Sequence, residues 1–532
     1  MTNSTPEFED ADCILITGSN TTETHPLVAS RIIKAKEKGA KLIVIDPRRT
    51  QIARYADIFV RQRLGTDVAW INGLMHIIVK EGWEDKEFIT TRTEGFEEMR
   101  KELENYPPER VEEITGISPS DMRAIAEAYA KAEKATIIYA MGITQHVSGT
   151  ENVLSLANLA MLAGNIGRLS TGVNPLRGQN NVQGACDMGG LPNVYTGYQS
   201  VADEEVAKKF EQAWGTNLSR KPGLTIMEMF QAIDEGSVKA LYIMGENPMV
   251  SDPDLHHVEK SLSKLELLVV QDIFLTETTK LAHAVLPGVS FAEKEGTFTA
   301  TDRRVQRVRK AIEPLEEAKP DYEIISTIAR KMGGANFQYG SSEEIFEEIR
   351  KVTPAYQGIT YERIDQNGIQ WPCRSLEDKG TPFLHKDQFS KGKGTFFAIP
   401  YRDPAEVTND EFPFWLSTGR VGFQYHTRTM TGVSPSLQKE AAEGYVEINP
   451  FDAAQLGIDE GERVHVISRR GKIQIKAMLT FNVARNTVFI PFHYVESAAN
   501  MLTNTAFDPV AKIPELKVGA VRVEKIEERV NT

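Results

Sequence analysis

The sequence predicts an α/β plus β fold: two αβα domains on parallel sheets, followed by a mostly β carboxyl-terminal domain. Three observations predict it. Short, wholly apolar runs alternate with helical segments through the first 180 residues. The same alternation returns between residues 238 and 288. From about residue 411 the pattern changes to short alternating segments split by turns. Strands that are apolar throughout and separated by helices belong to sheets covered on both faces, whereas period-two alternation belongs to strands with one wet face.

Taken in order, CILITG (13–18) is a buried strand ending in glycine, and HPLVASRIIKAKEKG (25–39) has helical spacing and a glycine stop. KLIVIDP (41–47) is the next strand, 66–82 a helix, and 118–132 a helix with Ser118 as its cap and Pro119 in its first turn. TIIYAMG (136–142) is a strand. In the second region, 238–245 is a strand, 252–264 a helix, 265–273 a strand and 283–288 another. Both regions resemble halves of a Rossmann-like, dinucleotide-binding fold. The expected division is 1–180 and 181–352 for the αβα domains, the second with an extended insertion near 292–320. A Pro-, Gly- and Lys-rich connector at 353–410 and a β domain at 411–532 complete it.

Charge and cysteine usage exclude several function classes. The net charge is −13, which repels nucleic acid and anionic lipid. The three cysteines, Cys13, Cys186 and Cys373, are far apart and form no CxxC, so the sequence encodes no disulfide framework and no local zinc or iron–sulfur site. Few cysteines suit a reducing cytoplasm. No apolar run approaches the length of a membrane span, and the polar, acidic start is no signal peptide.

Ligands of open α/β sheets sit where loops leave the carboxyl ends of strands. Those loops here are TGSNTTETHP (17–26), DPRRT (46–50), MGITQH (141–146), MGENP (244–248) and QDIF (271–274). Asp46 stands where an acid after the second strand takes a ribose hydroxyl. Any one of these loops, alone, reads as a plain strand-to-helix turn. Their recurrence across two domains points to a large or doubled dinucleotide ligand. None matches GxGxxG, so a nicotinamide site has little support.

The run GVNPLRGQNNVQGACDMGGLPN (172–193) has neither helical nor strand periodicity, and such a stretch inside a compact protein is usually functional. Its glycines allow close backbone approach, its amides both donate and accept, and Arg177 offers a planar fork for a small carboxylate. The competing reading of Arg177 is a surface arginine paired with Asp187. Among the histidines, His146 is the better ligand candidate and His426 a second. His76 reads as a core residue, and His256 and His257 as surface residues.

RGQNNVQGACDMG (177–189) resembles the signature of molybdopterin formate dehydrogenases, supported by TGSNTTETHP, VIDPRRT, MGITQH, LAMLAGNIG, YIMGENP, VVQDIF, EGTFTATDRRVQ and the tail STGR…HTRTMTG…PFH…PELK. The resemblance covers essentially the whole chain. It implies the DMSO reductase-like fold, in which the carboxyl-terminal domain is a β-barrel. It also implies a bis-molybdopterin guanine dinucleotide cofactor carrying molybdenum or tungsten. Gly18, Ser19, Asn20, Asp46, Arg48, Gly65, Asp67, Gly142, Thr144 and Gln145 would line it from the first domain, with Gly178 and Gln179 in the signature. Gly245, Glu246, Asn247, Gln271 and Asp272 would do so from the second domain, and Thr418, Arg420, Asn500 and Lys517 from the barrel. Arg177 matches the arginine that orients formate beside the metal.

Family members open with a cysteine-rich segment for a 4Fe-4S cluster, followed by a cysteine or selenocysteine metal ligand and a histidine. Aligned by motif, Met1 falls just after that ligand, so the expectation is an amino-terminally truncated chain with no metal ligand of its own. A UGA codon read as a stop, or a misplaced start after an upstream cysteine, would produce it. The implied activity is reversible two-electron oxidation of formate to carbon dioxide, with electron-transfer partner subunits. The alternatives are another oxidoreductase of the fold, of nitrate or arsenate reductase type, and a non-catalytic cofactor-holding chain that needs a partner.

Overall fold

The structure is a computed structural model and describes residues 1–526; the last six positions of the expected 411–532 domain lie outside the described residues. Two compact units emerge. One comprises 1–176, 250–256 and 383–532, and the other 177–249 and 257–382.

The first unit opens on a five-stranded, all-parallel sheet. Its strands lie in the spatial order Ile58–Val60, Lys41–Ile45, Cys13–Thr17, Ala135–Tyr139, Gly172–Pro175. Alternate residues of the central strand feed separate cores. Ile14 and Ile16 join Val28, Ile32 and Ala35 of the helix Pro26–Glu37. Cys13 and Leu15 join Trp70, Leu74 and Ile78 of the helix Asp67–Glu81, with Ile125 and Leu156 from the helices Pro119–Ala130 and Gly149–Leu162. Both faces are thus covered, as continuous apolar strands require. Ser118 caps its helix by accepting from the Asp121 amide, and Gly82 ends another in the left-handed region. Strand order reverses beside Cys13–Thr17, so the loops after that strand and after Ala135–Tyr139 flank a topological switch point.

Six strands close a barrel in the same unit. Phe414–Gly419, Thr487–Pro491, Tyr445–Ile448, Lys472–Leu479, Arg463–Ile467 and Gly519–Lys525 follow one another around it. Ile473, Ile475 and Ala477 point inward, alternating with outward Lys472, Gln474 and Lys476. Arg48, from the loop after the second sheet strand, forks onto the barrel's Glu447, its Nε donating at 2.7 Å, and stacks 3.9 Å over Phe489.

The second unit has its own parallel sheet, Ala284–Pro287, Leu267–Asp272, Ala240–Met244. One face packs on Phe230, Ile233, Val258 and Leu262. Tyr242, Met244 and Leu267 of the other face are 42%, 49% and 46% exposed. That apolar row is unusual for a parallel sheet, which normally buries both faces. Near 292–320 the chain forms an antiparallel hairpin, Gly296–Thr299 with Arg304–Val308, extended by Ile369–Gln370.

The run 172–193 departs from its expected lack of structure. It holds the edge strand Gly172–Pro175 and the helix Val182–Asp187, entered from Asn181 at φ 66°. Four and six residues are too few for a period to show in the sequence, and sheet pairing supplies the order instead.

Candidate cofactor site

A cleft of about 820 Å³ lies in the first unit, at the switch point. Its floor is a contact between two glycines. The Gly142 amide donates to the Gly18 carbonyl at 3.0 Å, and a Cβ on Gly142 would fall 2.5 Å from the Gly18 Cα. Gly18 sits at φ +56°, which glycine adopts without strain. Gly142→Ala therefore pushes main chain against main chain and should destabilise the chain by about 3 kcal/mol. Equilibrium denaturation at wild-type stability would refute this packing account.

Eleven of the residues implied by the resemblance line this cleft: Gly18, Ser19, Asn20, Asp46, Arg48, Gly65, Asp67, Gly142, Thr418, Arg420 and Lys517. Gln145 and Asn500 line a smaller cavity that shares Thr418, Arg420 and Lys517 with it. Thr144 lines neither; its hydroxyl faces the Met141 sulfur at 3.5 Å. Arg48 reaches the cleft with its guanidinium already held by Glu447.

The electrostatics are those of an anion site. Lys517 is half-buried, donates to the Thr418 carbonyl at 2.8 Å, and is driven down to about 7 by burial and by Arg420 beside it, with Asp46 opposing. Burial likewise lowers Arg420. Asp46 is pushed up to about 6 by burial, against the amides of Arg48 and Ser19 that donate to it. Two cations held together and partly withdrawn from water are costly unless an anion joins them.

Several buried polar atoms around the cleft and cavity find no protein partner: Asn20 Nδ2, Thr50 Oγ1, Gln62 Oε1, His146 Nδ1 and Asn500 Oδ1. Buried polar atoms are nearly always satisfied, so these await a polar ligand. His146 points its Nε2 at the Gly142 carbonyl, 2.7 Å away, which leaves Nδ1 as an acceptor. Asn500 spends its amide hydrogens on the carbonyls of Val250 and Ser251, leaving its oxygen. Phosphate oxygens for the cations, and ring and ribose groups for the amides and imidazole, are what a dinucleotide brings. The residues present fit that group.

Sequence reasoning missed Gln62 and Thr50. Gln62 follows the strand Ile58–Val60, whose three residues gave no readable run. His146 and His426 do line the cavities, and burial lowers His426 to about 4. His76 is half-buried, its Nδ1 2.8 Å from the Leu103 carbonyl. His256 is exposed, and His257 is partly exposed in a contact 2.6 Å from Asp234.

In the second unit, Gly245 turns at φ +63° after its strand, with open space where a Cβ would stand, and its amide donates to Gln271 O at 2.8 Å. Asp272 accepts from the Ile273 amide at 2.7 Å and is raised by burial. Asn247 donates to Glu277 at 2.8 Å and accepts from the Thr278 hydroxyl at 2.7 Å, while Gln271 donates to Asp321 at 2.6 Å. These two amides therefore brace the turns, and Gly245 and the half-buried Glu246 offer the open edge. Gly178 and Gln179 lie partly exposed beside Arg177. The surface pairing of Arg177 with Asp187 is not what the fold builds. Asp187 is fully buried and takes four hydrogen bonds from Gln183, Tyr198, Tyr356 and Trp371.

Comparison with known proteins agrees with this geometry. Residues 1–331 match the molybdopterin oxidoreductase family, and residues 414–520 the molybdopterin dinucleotide binding domain. The chain is 55% identical to the F420-dependent formate dehydrogenase subunit alpha of Methanocaldococcus jannaschii, covering 99% of this chain and 78% of that protein. It is 52% identical to the corresponding subunit 1 alpha of Methanococcus maripaludis, with the same coverage. Formate dehydrogenase H of Escherichia coli is 44% identical over 99% of this chain and 75% of that protein. The solved structure of acetylene hydratase from Pelobacter acetylenicus shares the fold, with a TM-score of 0.77, 22% identity, and coverage of 98% of this chain and 78% of that one. No described helix is long and apolar enough to cross a membrane. With residues 1–331 and 414–520 matched and identity above 50% along nearly its whole length, the chain belongs to the molybdopterin oxidoreductase family, among the formate dehydrogenase alpha subunits.

Proposed function

We propose that this chain belongs to the catalytic subunit of a formate dehydrogenase, which oxidises formate reversibly to carbon dioxide with two molybdopterin guanine dinucleotides and a molybdenum or tungsten ion. The observation that carries the reading is the 52–55% identity, over 99% of the chain, to proteins named as formate dehydrogenase alpha subunits. In this reading the domains at 1–180 and 181–352 each hold one dinucleotide, and 411–532 closes over the pterins. Lys517 and Arg420 would face phosphate, and Asn20, Gln62, His146 and Asn500 the remaining polar groups. The turns at Gly245–Asn247 and Gln271–Asp272 would take the second dinucleotide.

The bound group would supply the two-electron redox capacity. The protein's part is to bind and orient. Arg177 would take the carboxylate of formate with its planar fork, so that the C–H bond is presented in one direction; holding a reactant in a productive pose supplies a large share of a barrier. Partner subunits would carry the electrons away.

The test is anaerobic turnover by the holoenzyme with a low-potential dye as acceptor, alongside metal analysis. Formate-dependent dye reduction that scales with bound molybdenum or tungsten is the expected result. Inert behaviour toward formate combined with reduction of nitrate or arsenate would replace this reading with the reductase alternative.

A further inference from the structure

The signature run places three side chains in sequence: Arg177, Gln183 and Asp187. Gln183 and Asp187 stand one turn apart on the helix Val182–Asp187, hence on one face. Gln183 is 4% exposed and Asp187 not at all. The hydrogen bonds around Asp187 run one way. Its Oδ1 accepts from Gln183 Nε2 at 2.8 Å and from the Tyr198 hydroxyl at 3.0 Å. Its Oδ2 accepts from the Tyr356 hydroxyl at 2.6 Å and from Trp371 Nε1 at 2.7 Å. Indole nitrogen can only donate, so an acceptor-only carboxylate is the species this cage is built for.

That cage fixes which way the Gln183 amide faces. One Nε2 hydrogen goes to Asp187, and the other to the Tyr198 oxygen at 2.9 Å. With both hydrogens spent, Oε1 must face away from the carboxylate, and it accepts from Arg177 Nε at 3.4 Å. The Arg177 main-chain amide is anchored as well, donating to Thr301 Oγ1 at 3.1 Å. A glutamine free to turn over would also present hydrogens to the arginine.

We propose that Gln183 and Asp187 are positioning residues for formate: the buried Asp187 carboxylate locks the Gln183 amide, and the amide oxygen holds the Arg177 guanidinium by Nε in the plane that receives the substrate carboxylate. A guanidinium held in one plane presents its planar donors to a carboxylate in a fixed direction. The inference rests on Arg177 binding formate, and it adds why the signature needs a glutamine six residues after that arginine and an aspartate four further on.

The test uses the holoenzyme and three variants. Arg177→Ala probes the underlying reading. Gln183→Met keeps length and volume and removes the acceptor. Asp187→Asn brings a donor into the cage, so the Gln183 amide turns over and Nε2 meets the Arg177 Nε–H. The expected result for Gln183→Met is a formate KM about tenfold higher, with kcat within about twofold and cofactor content unchanged. Asp187→Asn moves KM the same way and further. A second readout is independent of turnover: the rate at which phenylglyoxal modifies Arg177, followed by peptide mass spectrometry, rises about threefold or more in Gln183→Met. If Arg177→Ala raises KM while the folded, cofactor-loaded Gln183→Met changes neither KM nor the labelling rate, the positioning role is overturned and the arginine's role stands. If Arg177→Ala leaves KM unchanged, both fall. Should Asp187→Asn fail to fold, Gln183→Met decides alone.

Discussion

Arg177→Ala should raise the formate KM roughly 100-fold while leaving cofactor content and thermal stability unchanged. A charge-assisted, two-point hydrogen bond to a carboxylate is worth about 3 kcal/mol, and 1.4 kcal/mol is a factor of ten. The structural cost of the substitution is small, because Arg177 is only partly buried. Asp187, the acid within reach in sequence, is already satisfied by four neutral donors and gains no unpaired charge when the arginine goes. Arg177→Lys should recover little of the loss, since an ammonium is a point donor and cannot match a carboxylate at two points. Steady-state kinetics across formate concentration decide it: an alanine variant with wild-type KM means that the carboxylate is held elsewhere.

Lys517→Met should have opposite effects on the apo chain and on the holoenzyme. In the folded apo chain the Lys517 ammonium is held near 7 by burial and by Arg420, against an ordinary value of 10.5. Between pH 7 and 10.5 the unfolded chain binds a proton that the folded chain refuses, so stability rises with pH through that window, and below pH 7 the full cost of the buried charge is present. Methionine removes that cost. The apo variant should melt above wild type at pH 6, by a margin that shrinks toward pH 10. Cofactor retention should move the other way, falling by about tenfold, because a phosphate loses a charge-assisted partner. Calorimetry of apo protein across pH and guanine nucleotide released per chain read the two halves separately. A variant with lower apo stability at every pH and full cofactor content would mean that Lys517 is a packing element and not an anion ligand.

Much of the architecture is legible in the chain because it is local. CILIT, KLIVI and ATIIY are each apolar at four of five positions, which a two-sided core explains, and Pro26, Gly39, Ser118 and Gly82 mark where the helices between them start and stop. The alternation in KIQIKAML marks a strand with one wet face. The strand-end loops also show themselves, since small polar residues after an apolar run have few other reasons to be there. RGQNNVQGACDMG is specific enough to point to a family without any structure.

Other features depend on residues that meet only in three dimensions. Asp46, Arg420 and Lys517 line one cleft, although hundreds of residues separate the first from the others. Arg48 and Glu447 pair across a separation of 399 residues. No local pattern encodes such a meeting; it follows from the parallel order of the first sheet and from closure of a barrel whose strands are not in chain order. Thr144 and Gln145 are neighbours in one motif, yet only Gln145 reaches a cavity, because the turn of the short helix Met141–Thr144 sends their side chains different ways. Gln62 went unnoticed because the strand before it is three residues long and gains its order from pairing with Lys41–Ile45. Thus the sequence by itself determined the elements, the ends of the strands and the family, since each is written in adjacent residues. Only the tertiary structure decided which charges share the cleft and which way the Gln183 amide faces, because burial and hydrogen-bond direction are properties of the surroundings a side chain acquires on folding.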